Sequence, residues 1–92
     1  MTLFLLEVVT EASEKAEVDA LLARVDAAVA EAQGTVIESR VTADLKRMFT
    51  VAEHEQIQAE ERLRVGLQGA GVDVEDVAAV RLVGAELSDV KA

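Results

Sequence analysis

The run Leu3-Phe4-Leu5-Leu6-Glu7-Val8-Val9 is apolar at every position but one. It is too short for a globular helix and rich in residues that suit a pleated surface, which predicts a strand with both faces at least partly buried. Successive side chains alternate across a strand, so Phe4, Leu6 and Val8 share one side and Leu3, Leu5, Glu7 and Val9 the other. From Ser13 the period lengthens. Val18, Leu21, Leu22, Val25, Ala28, Val29 and Ala32 recur at helical spacing and define one apolar stripe. Ser13 suits the N-cap, Glu14 and Glu17 suit the positive end of the helix dipole, and Gly34 suits the left-handed residue just past the C-terminus.

Alternation returns over Thr35 to Thr42, with Ile37, Ser39 and Val41 on one side and Val36, Glu38 and Arg40 on the other. Ala43-Asp44-Leu45-Lys46 is polar enough to turn the chain, and Arg47 to Glu53 reads as the returning strand of a hairpin. A second helix is expected from about Glu55 to Gln68, with Ala59, Leu63, Gly66 and Leu67 on its inner stripe and Gly69-Ala70-Gly71 ending it. The last strand is expected within Val77 to Val83, followed by a tail.

The order is therefore β, α, β, β, α, β. Right-handed crossovers put both helices on one side of the sheet, which predicts an α+β, ferredoxin-like βαββαβ fold with a four-stranded antiparallel sheet in the order 4-1-3-2. Residues 1–84 are expected to form one domain and 85–92 a C-terminal tail.

If Phe4, Leu6, Val8, Ile37, Val41, Phe49, Val51, Val80 and Leu82 face the helices, the other side of the sheet is mixed. It carries Leu3, Leu5, Val9, Val36, Met48, Ala79 and Val83 together with Glu7, Glu38, Arg40 and Arg81. A free antiparallel sheet shows water a mostly polar face, and a soluble monomer rarely exposes so large an apolar patch. The expected cover is the same face of a second copy, giving a homodimer. Two readings of the four charges stand side by side. They form cross-strand ion pairs, Glu7 with Arg81 for instance, or they line a small cavity between two sheets that holds a polar ligand. In the second case Glu7 or Glu38 could serve as an acid/base in a small dimeric-barrel enzyme.

His54 is the only histidine, set in Glu53-His54-Glu55. An imidazole with carboxylates can ligate nickel or zinc, but three consecutive residues point in different directions, and an exposed histidine between acidic neighbours is the simpler expectation. No other constellation carries chemistry. Ser13, Ser39 and Ser88 lack a nucleophile-elbow context, and Gly66, Gly69 and Gly71 follow a helix instead of opening one, as a phosphate loop would require.

Composition narrows the classes further. The chain has 92 residues, no cysteine, and 18 acidic against 9 basic residues, a formal charge of −9. Without cysteine there is neither a disulfide framework nor a thiolate nucleophile. The charge repels phosphate backbones, and with Phe4 and Phe49 as the only aromatics there is no base-stacking surface, so a nucleic-acid partner is not expected. No stretch approaches the roughly 20 apolar residues of a membrane span. The apolar opening lacks a basic leader region and is interrupted by Glu7, so no signal peptide is expected and the expected location is cytoplasmic.

Leu3-Phe4-Leu5-Leu6-Glu7, the hairpin Val41-Thr42-Ala43-Asp44-Leu45-Lys46-Arg47-Met48-Phe49-Thr50-Val51-Ala52-Glu53, and Val80-Arg81-Leu82-Val83-Gly84 together resemble a family of small bacterial ferredoxin-like domains of unknown function that includes nickel-binding proteins. The resemblance implies a dimeric α/β sandwich or barrel and a bound divalent metal, nickel or zinc, with His54 as the available ligand. The sequence departs from the family pattern where a metal would matter. Its aromatic–cysteine signature on the third strand is here Met48-Phe49 without cysteine, and several histidines are reduced to His54. The fold expectation survives that departure better than the metal does. The expectation that results is a non-catalytic binding or assembly module, with the dimeric-barrel enzyme as its alternative.

Overall fold

The computed structural model describes residues 2–80. The chain runs β1 (Thr2–Val9), α1 (Lys15–Glu31), β2 (Thr35–Val41), β3 (Arg47–His54), α2 (Glu60–Gly69) and β4 (Asp73–Val80). The strands form one antiparallel sheet in the order β2-β3-β1-β4. This is the expected ferredoxin-like α+β fold. Both helices cover one face, and the core lies between them and the sheet.

The apolar stripes of the helices are where their spacing places them. Val18, Leu21, Val25, Ala28, Val29 and Ala32 of the first helical segment are buried, as are Ala59, Leu63 and Leu67 of the second. They close over Phe4, Leu6 and Val8 of β1, Met48 and Ala52 of β3, and Val74 and Val77 of β4.

The helix ends differ from expectation. Ser13 does not cap α1; Glu14 holds the N-cap position without a side-chain hydrogen bond, and the Ser13 hydroxyl donates to Glu17 instead. At the other end Gln33, not Gly34, takes the left-handed conformation, with φ 71°. Gln33 N–H donates to Ala30 C=O and Gly34 N–H to Val29 C=O, the two bonds of a Schellman stop. Gly34 is needed for space: a Cβ there would sit 3.0 Å from Val29 Cγ1 and 3.1 Å from the Glu53 carbonyl. Helix α2 starts later than expected, at Glu60, because the chain bends at Glu55 and turns over residues 57–59 first. It ends on a second Schellman stop, with Gly71 at φ 79°, Gly71 N–H donating to Gln68 C=O and Val72 N–H to Leu67 C=O.

The β2–β3 turn forms at the expected residues. Asp44 accepts from the Thr42 hydroxyl and from Lys46 N–H, and these bonds hold its carboxyl below the usual carboxylate value.

Facing is where the sequence expectations need most correction. Strand β3 turns the opposite way: Met48, Thr50, Ala52 and His54 are buried beneath the helices, while Phe49 and Val51 lie on the open face. On β2 the register slips at Ile37, so Val36 packs toward the core and Ile37 is exposed. Val41 pairs with buried Met48 but remains 38% exposed at the sheet edge. The described part of strand β4, Asp73–Val80, begins before the expected Val77. Ala79 pairs with core residue Phe4, whereas Val80 pairs with Leu3 on the open face. Arg81, Leu82, Val83 and the expected tail lie outside the described residues.

Candidate interaction face of the sheet

Strand pairing arranges the open face in rows. Val80 pairs with Leu3, which pairs with Glu53. Next, Ala78 pairs with Leu5, Leu5 with Val51, and Val51 with Glu38. Below that, Asp76 pairs with Glu7, Glu7 with Phe49, and Phe49 with Arg40. The last row is Asp73, Val9 and Arg47. The face thus has an apolar end built from Leu3, Leu5, Val51, Ala78 and Val80, and a charged end on the same strands. Leu5 is 38% and Val80 37% exposed, so this apolar end meets solvent in the single chain.

At the charged end Arg47 is the organising cation. Its guanidinium reaches from β3 across β1, bonding Glu7 at 3.3 Å and Glu75 on β4 directly. Glu75 is presented there by a register slip in β4, which places it between Asp76, opposite Glu7, and Val74, opposite Val8. The hydrogen bond and charge of Glu75, with Glu7 and Asp73 adding theirs, raise the Arg47 pKa above its ordinary value. The groups are part-exposed, so their pairing sets side-chain positions more than it stabilises the fold.

Of the four charged residues singled out from sequence, Glu7, Glu38 and Arg40 lie among the described residues and do not gather into one constellation, and Arg81 lies outside them. Glu7 is on the open face and pairs with Arg47. Glu38 and Arg40 are also on the open face and pair with each other at 2.6 Å along β2, both well exposed. Glu38 borders a shallow open groove between α1 and β2, lined also by Leu22, Asp26 and Ser39. Arg47 and Glu75 were missed by the sequence reading. The signal for Arg47 was the alternation Arg47, Phe49, Val51, Glu53, which has polar residues at both ends and belongs on a solvent-facing side.

His54 is not exposed. It is 4% accessible, and both ring nitrogens are engaged: Nε2–H donates to the Ala32 carbonyl at 2.8 Å, and Nδ1 accepts from Gln56 N–H at 3.0 Å. These partners fix the neutral tautomer and leave no ring lone pair directed at a metal. The ring instead ties the end of β3 to the C-cap of α1. Among the described residues no three His, Asp or Glu side chains gather as a metal site would require. Also among the described residues, no helix is long and apolar enough to cross a membrane.

Neither a family model nor a curated protein matches the chain.

Proposed function

We propose that this chain is a non-catalytic assembly and binding module of the cytoplasm that acts as a homodimer, with the open faces of two sheets packed together. The observation that carries this reading is the contiguous patch Leu3, Leu5, Val51, Ala78 and Val80, joined row to row by strand pairing and facing away from the helices. Area favours a second copy as the occupant. Strands of seven or eight residues at ~3.3 Å each, spaced ~4.8 Å apart, give a face of about 450 Å². Two such faces bury about 900 Å², close to the ~1,000 Å² that a specific interface should clear. The resemblance to small bacterial ferredoxin-like domains supports the same arrangement.

The test is molar mass by light scattering across a concentration series, on the natural chain and on Leu5→Asp. The expected result is a dimer for the natural chain and a folded monomer for Leu5→Asp, because a buried unpaired carboxylate at the centre of the patch opposes contact. A natural chain that stays monomeric at millimolar concentration, or a Leu5→Asp chain that stays dimeric, rejects this face as the interface.

A further inference from the structure

The buried imidazole of His54 is the tie for a segment with little else to anchor it. Residues 55–58 are all exposed, Ile57 at 55%, so side-chain burial does not fasten them. Among the described residues, the backbone of this segment makes two hydrogen bonds. One stays within the turn, from Ala59 N–H to the Gln56 carbonyl at 3.2 Å. The other, from Gln56 N–H to His54 Nδ1 at 3.0 Å, joins the segment to the sheet. Ala59 is buried, and there the chain re-enters the core.

The partners dictate the tautomer. The Ala32 carbonyl can only accept, so Nε2 carries a proton; the Gln56 amide can only donate, so Nδ1 offers its lone pair. A second proton therefore has one place to go, Nδ1. The Ala32 bond survives that event and strengthens, because its donor is then charged. The Gln56 bond does not, because two N–H groups then face each other. The ring borders an open cleft lined by Gln33, Thr35, Glu53 and Glu55, which is the route for a proton to reach it.

Other charged groups stand around the ring. Glu31 and Arg62 rim the groove beside Ala32, Glu60 and Glu61 open α2, and β1 opposes His54 with the uncharged Thr2. Together with Glu53, Glu55 and the carbonyl end of α1, these charges govern the pH at which the proton arrives. The hydrogen-bond pattern governs which contact it breaks.

We infer that His54 is a proton-operated latch: neutral, it holds residues 55–58 to the end of β3, and protonated, it releases them while keeping its own bond to α1. The bond to Gln56 is present while the ring is neutral and is lost as pH falls through the ring's titration.

The test is an NMR titration of the natural chain from about pH 8 to about pH 5, the range in which histidines exchange their proton. It follows the His54 ring carbons, the Gln56 amide and the backbone order of residues 55–58. Expected is one shared midpoint. As the ring titrates, Gln56 loses roughly tenfold of its protection against hydrogen exchange, the equivalent of one hydrogen bond. Order parameters over residues 55–58 fall with it, while Leu63 and Leu67 keep theirs. His54→Asn is the comparison, because its side-chain oxygen can accept from the amide two residues on and does not titrate. Its segment should stay ordered throughout. A Gln56 bond that persists after the ring has taken its proton overturns the inference, and so does a ring that stays neutral until the whole chain unfolds. Equal loss of order in His54→Asn also overturns it, assigning the release to Glu53 and Glu55. Should His54→Asn fail to fold, the shared or separate midpoints of the natural chain decide the matter.

Discussion

The two faces of this sheet are made from the same strands, yet they obey different rules. The covered face takes Phe4, Leu6, Met48 and Val77, and it also takes Thr50 and His54, both buried. The open face takes Phe49 and Val51 from the same strand that sends threonine and histidine inward. What separates the two is satisfaction of polar groups more than hydrophobicity. Thr50 shares a 2.8 Å hydrogen bond with Ser39 of the neighbouring strand, and His54 has a partner at each nitrogen. A polar side chain with partners costs little to bury, whereas burying one without them is expensive.

The sharpest way to break this contrast is to truncate one residue on each side of β1. Phe4→Ala should cost about 3–5 kcal/mol of folding stability through the cavity it leaves. Leu5→Ala, one position along, should cost well under that in the monomeric state and act instead on association. Chemical denaturation across a protein concentration series that spans the proposed dimer separates the two; equal losses at low concentration would mean that the faces are not distinct. A smaller effect is expected for His54→Leu, which keeps bulk but strands the Ala32 carbonyl and Gln56 N–H. A loss of about 1–3 kcal/mol in the same assay is expected. A neutral outcome would show that the covered face does not depend on satisfied polar groups. The smallest effect is a gain: Gln33→Gly relieves a left-handed residue at the end of α1 and should stabilise by roughly 0.5–1 kcal/mol. A loss there would place the Gln33 side chain in the packing.

Much of the architecture was legible because it depends on periodicity. The helical stripes Val18 to Ala32 and Ala59 to Leu67, the hairpin at residues 42–47 and the strand order all follow from spacing and turn chemistry. Glu7, Glu38 and Arg40 were also placed on the correct face. Facing failed where the period of two was no guide. Strand β3 is apolar on both sides, so parity alone could not choose between Met48 and Phe49, and the larger aromatic was assigned inward. In β2 the slip at Ile37 adds one residue, and one residue exchanges the sides of a strand. The Arg47–Glu75 contact spans three strands and depends on the matching slip in β4, which no local pattern announces. His54 was misjudged because its partners, the Ala32 carbonyl and the Gln56 amide, are backbone groups to which sequence gives no address.

The two register slips have a consequence for concentrated solution. They fall in β2 and β4, the outer strands, whose free backbone groups would otherwise template a further strand from another chain. An inserted residue twists each rim and spoils the straight ladder that lateral growth requires. Edges that resist lateral pairing deny the sheet the commonest route to a fibre, so the two slips act as a guard against aggregation.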